Sequence, residues 1–193
     1  MKTVIVLANP NKKSFNHEIA NVIIKNLKAN NKDYELWDLY AEKFDPVITQ
    51  EEIESFGFGT FEKSPYKDKI LTLRDETDKL IVIYPLYFID FPAILKGFFD
   101  RVFVGTIINN EDKPFEWKSV IDIDKTYIIQ TSLSREWSLG KSIAKAEYDK
   151  MKKTILDRFG LFNTEVILYD HLSNSSIEDR IKFLEKVSTK VSG

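Results

Sequence analysis

The sequence contains no cysteine. That excludes a thiol nucleophile, a disulfide framework and thiolate-ligated metal. The absence fits a reducing compartment, and a cytoplasmic protein is expected. Charge of either sign is close to balanced, with 28 Lys and Arg against 30 Asp and Glu. No basic excess therefore recommends nucleic acid or an anionic membrane surface as a partner. Long apolar runs are missing as well. Nothing approaches the ~20 residues of a membrane span. The run from Val4 to Ala8 stops at Asn9-Pro10, short of the apolar stretch of a secretory leader. Histidine is scarce: His17 and His171 are the two in the chain. Neither stands in a cluster with metal-ligand spacing, so no metal is expected. No Gly-x-Ser-x-Gly elbow occurs.

What is present is the makings of one core. A chain of 193 residues with 43% hydrophobic content can bury roughly 70% of its unfolded surface without a staple, so residues 1–193 are read as a single domain. Five short apolar runs punctuate helical patterns. Val4 to Ala8 and Leu80 to Tyr84 are almost wholly apolar, as in strands buried on both faces. Tyr34 to Leu39, Thr126 to Thr131 and Val166 to Tyr169 supply the other three. Between them, Ile19, Val22, Ile23 and Leu27 recur at helical spacing. Thr49 to Glu52 and Ser175 to Glu178 are capping-box patterns. Ser64-Pro65 reads as a cap and first-turn proline for a helix to about Thr77, and Pro92 opens another. A further helix is expected from about Ser142 to Phe159, closed by Gly160. Ile177, Ile181, Leu184, Val187 and Val191 would form the buried face of the last helix. Residues 104 to 124 show no clear period. Strand–helix alternation of this kind predicts an α/β fold with a doubly wound parallel sheet, in the order 2-1-3-4-5.

Ligands of such sheets bind beyond the C-terminal strand ends, where strand order reverses. Three loops are placed there. The first, Asn9 to Asn16, runs into a helix N-terminus, whose free N–H groups favour an anion. It carries Lys12, Lys13, Ser14 and Asn16 but no glycine, so it is neither a dinucleotide fingerprint nor a P-loop. These residues alone leave a plain helix cap and an anion site equally open. The second, Tyr84 to Pro92, holds four aromatics and two prolines, which suits a flat aromatic ligand or a subunit contact. The third, Gln130 to Trp137, offers hydroxyls and amides for a polar ring edge. A phosphoacceptor receiver shares the fold but needs acidic residues where Asn9 and Tyr84-Pro85 stand, and that reading is rejected.

Three stretches resemble a known family. Ser14-Phe15-Asn16 matches S-F-N at the first helix start. Asp38-Leu39-Tyr40-Ala41 with Phe44-Asp45-Pro46 matches D-L-Y-A…F-x-P. Pro85-Leu86-Tyr87-Phe88 through Val102 matches P-L-x-[WF]-x-x-P-A-x-L-K-G-[WF]-[FI]-[DE]-R-V. Together they resemble the flavodoxin-like NAD(P)H:quinone oxidoreductases, a group that includes DT-diaphorase, bacterial quinone reductases and ancillary proteins of potassium efflux.

The resemblance implies a flavoenzyme that passes hydride from NAD(P)H through flavin N5 to a quinone or similar acceptor. It implies FAD, with FMN as the alternative. Ser14, Phe15 and Asn16, with Asn9 beside them, would hold the phosphates. Pro85, Leu86, Tyr87 and Phe88 would face the ring's central part, and Thr131, Ser132 and Leu133 its pyrimidine edge. Arg180 would lie near the dinucleotide end, and Phe88 and Trp137 would wall the substrate pocket. A homodimer with the flavin at its interface follows, consistent with aromatic surface at Tyr87, Phe88, Phe115 and Trp117. The alternatives are a regulatory subunit of a membrane transporter, or an azo- or nitroreductase. The chain departs from the family at Asn9, often histidine there, and at Thr131-Ser132-Leu133…Trp137, where the family has T-T-G-G…Y. No side chain is therefore assigned as catalytic.

Overall fold

The computed structural model describes residues 2–57, 60–109, 116–133 and 148–192. Phe115, Trp137 and the expected helix start at Ser142 lie outside the described residues. Five parallel strands form the main sheet: β1 Lys2–Leu7, β2 Asp33–Asp38, β3 Thr77–Pro85, β6 Lys125–Thr131 and β7 Thr164–Tyr169, in the order β2-β1-β3-β6-β7. The short β4 Ile107–Asn109 and β5 Trp117–Ser119 pair separately as an antiparallel hairpin. Among the parallel strands the order is the 2-1-3-4-5 expected. The hairpin was not: three-residue strands with no buried face leave no alternation to read.

The two central runs explain the sheet. Val4 to Ala8 and Leu80 to Tyr84 are each at most 1% exposed, because helices cover both faces. Alternation then divides their side chains. Val4, Val6, Leu80, Val82 and Tyr84 join Leu95 and Phe98 on one side. Ile5, Leu7, Ile81 and Ile83 join Ile19, Ile23, Leu27 and Val187 on the other.

The helices are α1 Phe15–Ala29, α2 Gln50–Gly57, α3 Lys67–Asp75, α4 Ala93–Arg101 and α5 Ile177–Ser192. None is long and apolar enough to cross a membrane, among the described residues. Residues 148–151 are helical and pass into the π-helical segment Lys152–Leu156, and Gly160 follows at φ 76°. Three expectations are corrected. Ser64 does not cap α3, which starts at Lys67; its hydroxyl donates to Glu52 Oε1 instead, at 3.2 Å. Thr77 opens β3 rather than ending a helix. The last capping box sits one residue later, as Ser176 and Asp179: the Asp179 N–H reaches Ser176 Oγ at 3.1 Å. That leaves Ile177 and Ile181 77% and 49% exposed, so α5 buries a narrower stripe than its apolar residues suggest.

The Thr49–Glu52 box is present, with Thr49 N–H donating to Glu52 Oε2 (2.9 Å) and Glu52 N–H to Thr49 Oγ1 (3.2 Å). Glu52 is fully buried because it also receives Arg101, itself 2% exposed, through Nε at 3.0 Å and Nη2 at 2.8 Å. Arg101 Nη1 donates to the Asp45 carbonyl at 2.6 Å, and its guanidinium lies 4.7 Å from the Tyr66 ring centre. One turn earlier, a Cβ on Gly97 would stand 2.3 Å from the Pro46 carbonyl oxygen. The K-G-F-F-D-R run of α4 is thus a dock for Asp45-Pro46, and glycine is the residue that lets the backbones approach.

Burial acts to raise the Glu52 pKa, but the bonds from Arg101 and Thr49 outweigh it and hold the carboxyl below its ordinary value. A lowered carboxylate pKa stabilises the fold at neutral pH and stops doing so as pH falls through the folded-state value. Glu52→Gln leaves the buried Arg101 with the exposed Asp45 carboxylate, 3.1 Å away, as its counter-ion, so the cost should fall toward the low end of the about 3–5 kcal/mol typical of breaking a buried pair. Urea unfolding at neutral pH should show a loss of that order. Between neutrality and the acid side of the carboxylate range, the variant should lose less stability than the parent. Equal acid sensitivity in both would remove this pair as the source.

Candidate functional site

The loops after β1, β3 and β6 meet at one sheet edge, and Asn16 links two of them across the third. Asn16 is the second residue of α1 and is 2% exposed. Its Oδ1 accepts Asn9 Nδ2 at 2.7 Å and the Thr131 hydroxyl at 3.2 Å. Asn9 follows β1, Thr131 ends β6, and β3 lies between those strands. The carboxamide therefore spans the end of β3, where strand order reverses. With both bonds on Oδ1, the amide's orientation is set, and its Nδ2 is buried without a partner. A buried unsatisfied donor costs about 1–3 kcal/mol, so a group that accepts from it would be stabilised there.

Asn9 shapes the loop: its Oδ1 accepts the Asn11 N–H at 2.9 Å, closing a turn. Ser14 is the α1 cap, accepting the His17 N–H at 3.4 Å. The Phe15 ring is occupied in the core, 5.1 Å from Tyr169 and 5.9 Å from Phe183 between centroids. What Phe15 can offer a ligand is its backbone N–H, one of the donors a helix start leaves without an intrahelical partner.

The loop after β3 is a two-residue hairpin. Tyr87 N–H donates to Asp90 O (2.8 Å) and Asp90 N–H to Tyr87 O (3.0 Å). Phe88 and Ile89 between them have φ of 50° and 70°. A tight turn of this hand favours Asn or Gly at such positions, so a phenylalanine and a β-branched isoleucine there are strained. Asp90 anchors the turn, pairing with Lys150 Nζ at 2.8 Å. Leu86 N–H is spent on Thr131 O at 2.8 Å and Tyr87 N–H within the turn. These residues can offer a ligand apolar surface, and Leu86 its carbonyl. Ile89, which sequence reasoning missed, supplies the backbone amide at the turn. No residue type in the loop signals it, because Phe88 and Ile89 are not the residues such a turn favours. Phe88 is 86% exposed and Tyr87 44%. Pro85 ends β3 opposite Thr131.

Thr131, Ser132 and Leu133 are tied to the segment after β7. Ser132 N–H donates to Tyr169 O (2.8 Å), Leu172 N–H to Ser132 O (3.0 Å) and Ser173 N–H to Leu133 O (2.9 Å). Leu133 leaves its side chain 68% exposed. Arg180 fastens the same segment, with Nε to Ser175 Oγ at 2.9 Å and Nη2 to Leu172 O at 2.8 Å. Behind the edge, Tyr84 Oη accepts from Gln130 Nε2 at 2.7 Å, and burial raises the Tyr84 pKa well above its ordinary value. This hydroxyl is a fixed neutral group rather than a proton source. Among the described residues, no three His, Asp or Glu side chains form a metal cluster.

The edge thus joins a buried free amide and a helix start to exposed apolar tips. The flavodoxin-like fold family matches residues 1–191. The chain belongs to that family. NAD(P)H dehydrogenase [quinone] 1 of Cavia porcellus is 34% identical over 119 residues, covering 54% of this chain and 43% of that protein. The chain thus spans under half the length of that curated relative. The NAD(P)H:quinone oxidoreductase of Methanothermobacter marburgensis aligns with a TM-score of 0.82 at 27% identity, covering 100% of this chain and 98% of that one. An FMN-dependent NADH-azoreductase of Bacillus anthracis, solved with FMN, aligns over 100% of both chains with a TM-score of 0.73. At 14% identity that likeness shows the flavodoxin-like fold alone.

Phe88→Asn places a residue that tolerates positive φ in the strained turn and removes a side chain that is 86% exposed. The left-handed conformation costs an ordinary residue roughly 1–2 kcal/mol. The variant should therefore melt higher, by about 0.5–1 kcal/mol in unfolding free energy after partial relief. A lower melting temperature would show that Phe88 is held by packing and not merely tolerated.

Proposed function

We propose that this flavodoxin-like protein is an NAD(P)H-dependent flavin oxidoreductase whose acceptor is a quinone or a similar flat electron acceptor. The observation that carries the reading is the unpartnered Asn16 Nδ2, buried over the end of β3. It lies between a helix start suited to phosphate and the apolar Tyr87-Phe88 tip. A phosphate-bearing ring cofactor satisfies both ends of that edge, and the named similarities to quinone dehydrogenases point the same way. A bound flavin supplies two-electron transfer between a nicotinamide and an acceptor.

The chain's own residues bind and orient. Ser14, Asn16 and the α1 N–H groups take the phosphate, with Asn9 fixing Asn16. Leu86, Tyr87 and Phe88 give the apolar wall, and the Ile89 amide a donor beside it. Thr131 holds Asn16, while Ser132 and Leu133 form the opposite rim. FAD is favoured over FMN on the resemblance of Arg180 to the arginine of FAD-binding members, and here its guanidinium is already immobilised on the 172–175 segment. The exposed Phe88, Tyr87 and Leu133 side chains favour a homodimer that covers them and completes the pocket wall.

Protein purified without added cofactor should release FAD or FMN on denaturation. NAD(P)H should bleach the bound flavin, and a quinone should restore its colour. Absence of flavin, together with no binding of added flavin by calorimetry, would sink the proposal. Asn16→Ala should fold, with a loss of about 1–3 kcal/mol for the Asn9 and Thr131 donors it leaves without their acceptor. It should bind flavin roughly tenfold to a hundredfold more weakly, as expected for losing a hydrogen bond to a charged group. Undiminished flavin binding would show that the amide serves the fold alone. Light scattering at micromolar concentration should give twice the chain mass, and a monomer would refute the shared pocket.

A further inference from the structure

Ser14, the phosphate-facing cap, does not stand alone. Its Oγ lies 2.9 Å from His17 Nδ1, and His17 Nε2 lies 3.3 Å from Asp38 Oδ2. The His17 and Asp38 side chains are 14% and 16% exposed, so water competes weakly for these contacts. The other Asp38 oxygen, Oδ1, accepts the N–H groups of Tyr40 (3.2 Å) and Ala41 (3.0 Å). The aspartate is thereby locked in the turn after β2, and its Oδ2 stays turned to the imidazole. The charged group in contact with His17 is Asp38. Lys12, Lys13 and Glu18, its charged neighbours along the chain, are exposed and make no bond to either ring nitrogen.

This chain of contacts fixes the direction of each hydrogen. A nitrogen facing a carboxylate carries the proton, so in the neutral ring Nε2–H donates to Asp38 and Nδ1 is a bare acceptor. Ser14 must then donate its only hydroxyl hydrogen to His17 Nδ1. Toward an anion at the α1 start it presents lone pairs, which repel. When His17 takes up a proton, Nδ1–H donates to Ser14 Oγ, and the hydroxyl hydrogen is released to turn toward the anion. The same step adds a positive charge one helical turn from the site. Two effects of one proton act in the same direction.

We infer that His17, held by Asp38, is a positioning residue that couples proton uptake to phosphate binding by setting the direction in which Ser14 donates. The inference rests on the reading of this edge as a phosphate-bearing cofactor site. Protonation is not consumed in the reaction: one proton is bound with the phosphate and released with it.

Calorimetry on apoprotein at pH 5.5, 7.0 and 8.5 tests it, with FAD, riboflavin and inorganic pyrophosphate as probes. FAD and pyrophosphate should bind at least about tenfold more tightly at pH 5.5 than at 8.5, within the tenfold per pH unit that one linked proton allows. Riboflavin, which lacks phosphate, should change by less than about twofold. His17→Gln should flatten the FAD profile, whereas His171→Gln should leave it sloped. The chain has two histidines, so proton NMR can follow His17 in the parent protein. Its titration should move to higher pH when pyrophosphate or FAD is added, a shift that a purely structural histidine would not show. The inference is overturned if His17→Gln keeps the full slope, if riboflavin shows the same slope, or if the His17 titration does not move. Pyrophosphate binding with the slope, but no binding of any flavin, would overturn the flavin reading and leave the coupling standing. No binding of any probe would overturn both.

Discussion

One carboxamide sets the geometry of the candidate site. Parallel strands deliver β1, β3 and β6 to the same edge, but strands alone would leave three independent loops. Asn16 removes that independence. Its Oδ1 accepts from Asn9 on one side and Thr131 on the other, and the helix that carries it is packed through Ile19, Ile23 and Leu27. The relative position of the first and third loops is therefore inherited from a rigid element, which is more exact than loop packing. The free Nδ2 is the consequence. An amide that uses its oxygen twice over one strand end must leave its nitrogen facing the strand-order reversal. Glutamine would be one methylene too long to keep these bonds, and aspartate would present no donor.

The long α4 motif divides into two jobs that the sequence cannot separate. Its first part, Pro85 to Phe88, shapes the edge. Its second part, Lys96 to Arg101, turns Gly97 and Arg101 to the segment before α2. Gly97 admits the Pro46 backbone, and Arg101 closes on Glu52 and the Asp45 carbonyl. The two motif fragments on either side of α2, D-L-Y-A…F-D-P and K-G-F-F-D-R, are thus two halves of one contact. Within the first of them, Asp38 faces the other way, toward His17. A match across all these residues speaks to the fold and to the site together, and only the contacts show which residue serves which.

The fold was legible because its signals are period and length. Val4 to Ala8 and Leu80 to Tyr84 could be nothing but doubly covered strands, and their order followed from helix alternation. Element ends were less legible. Ser64 looks like a cap from its neighbour Pro65, yet its hydroxyl is claimed by Glu52, a long-range partner that no local pattern reveals. The shift of the last box to Ser176 and Asp179 has the same character: two serines in a row are chemically equal, and the packing of α5 chooses between them. At the site, residue types located the loops, but hydrogen-bond direction did not follow from them. Leu86 and Tyr87 could not be known to have spent their N–H groups, because the acceptors are Thr131 O, far along the chain, and Asp90 O, set by a turn type that Phe88-Ile89 do not advertise.

That turn is where local preference and global fold disagree most openly, and the disagreement is informative. Asn-Gly would make the same hairpin without strain, while Phe88 and Ile89 make it at positive φ. Strain persists when surrounding structure over-determines it. Here Leu86 is held by Thr131 before the turn, and Asp90 by Lys150 after it, so the two-residue span has no longer path available. The same constraint turns the Phe88 side chain outward, 86% exposed. Burial in the chain's own core therefore gives no reason for an aromatic residue there. The strain is borne by the two anchors on either side of the turn rather than repaid by burial of the side chain. The residue worst suited to the isolated fold is thus the one that most directly marks its outward face.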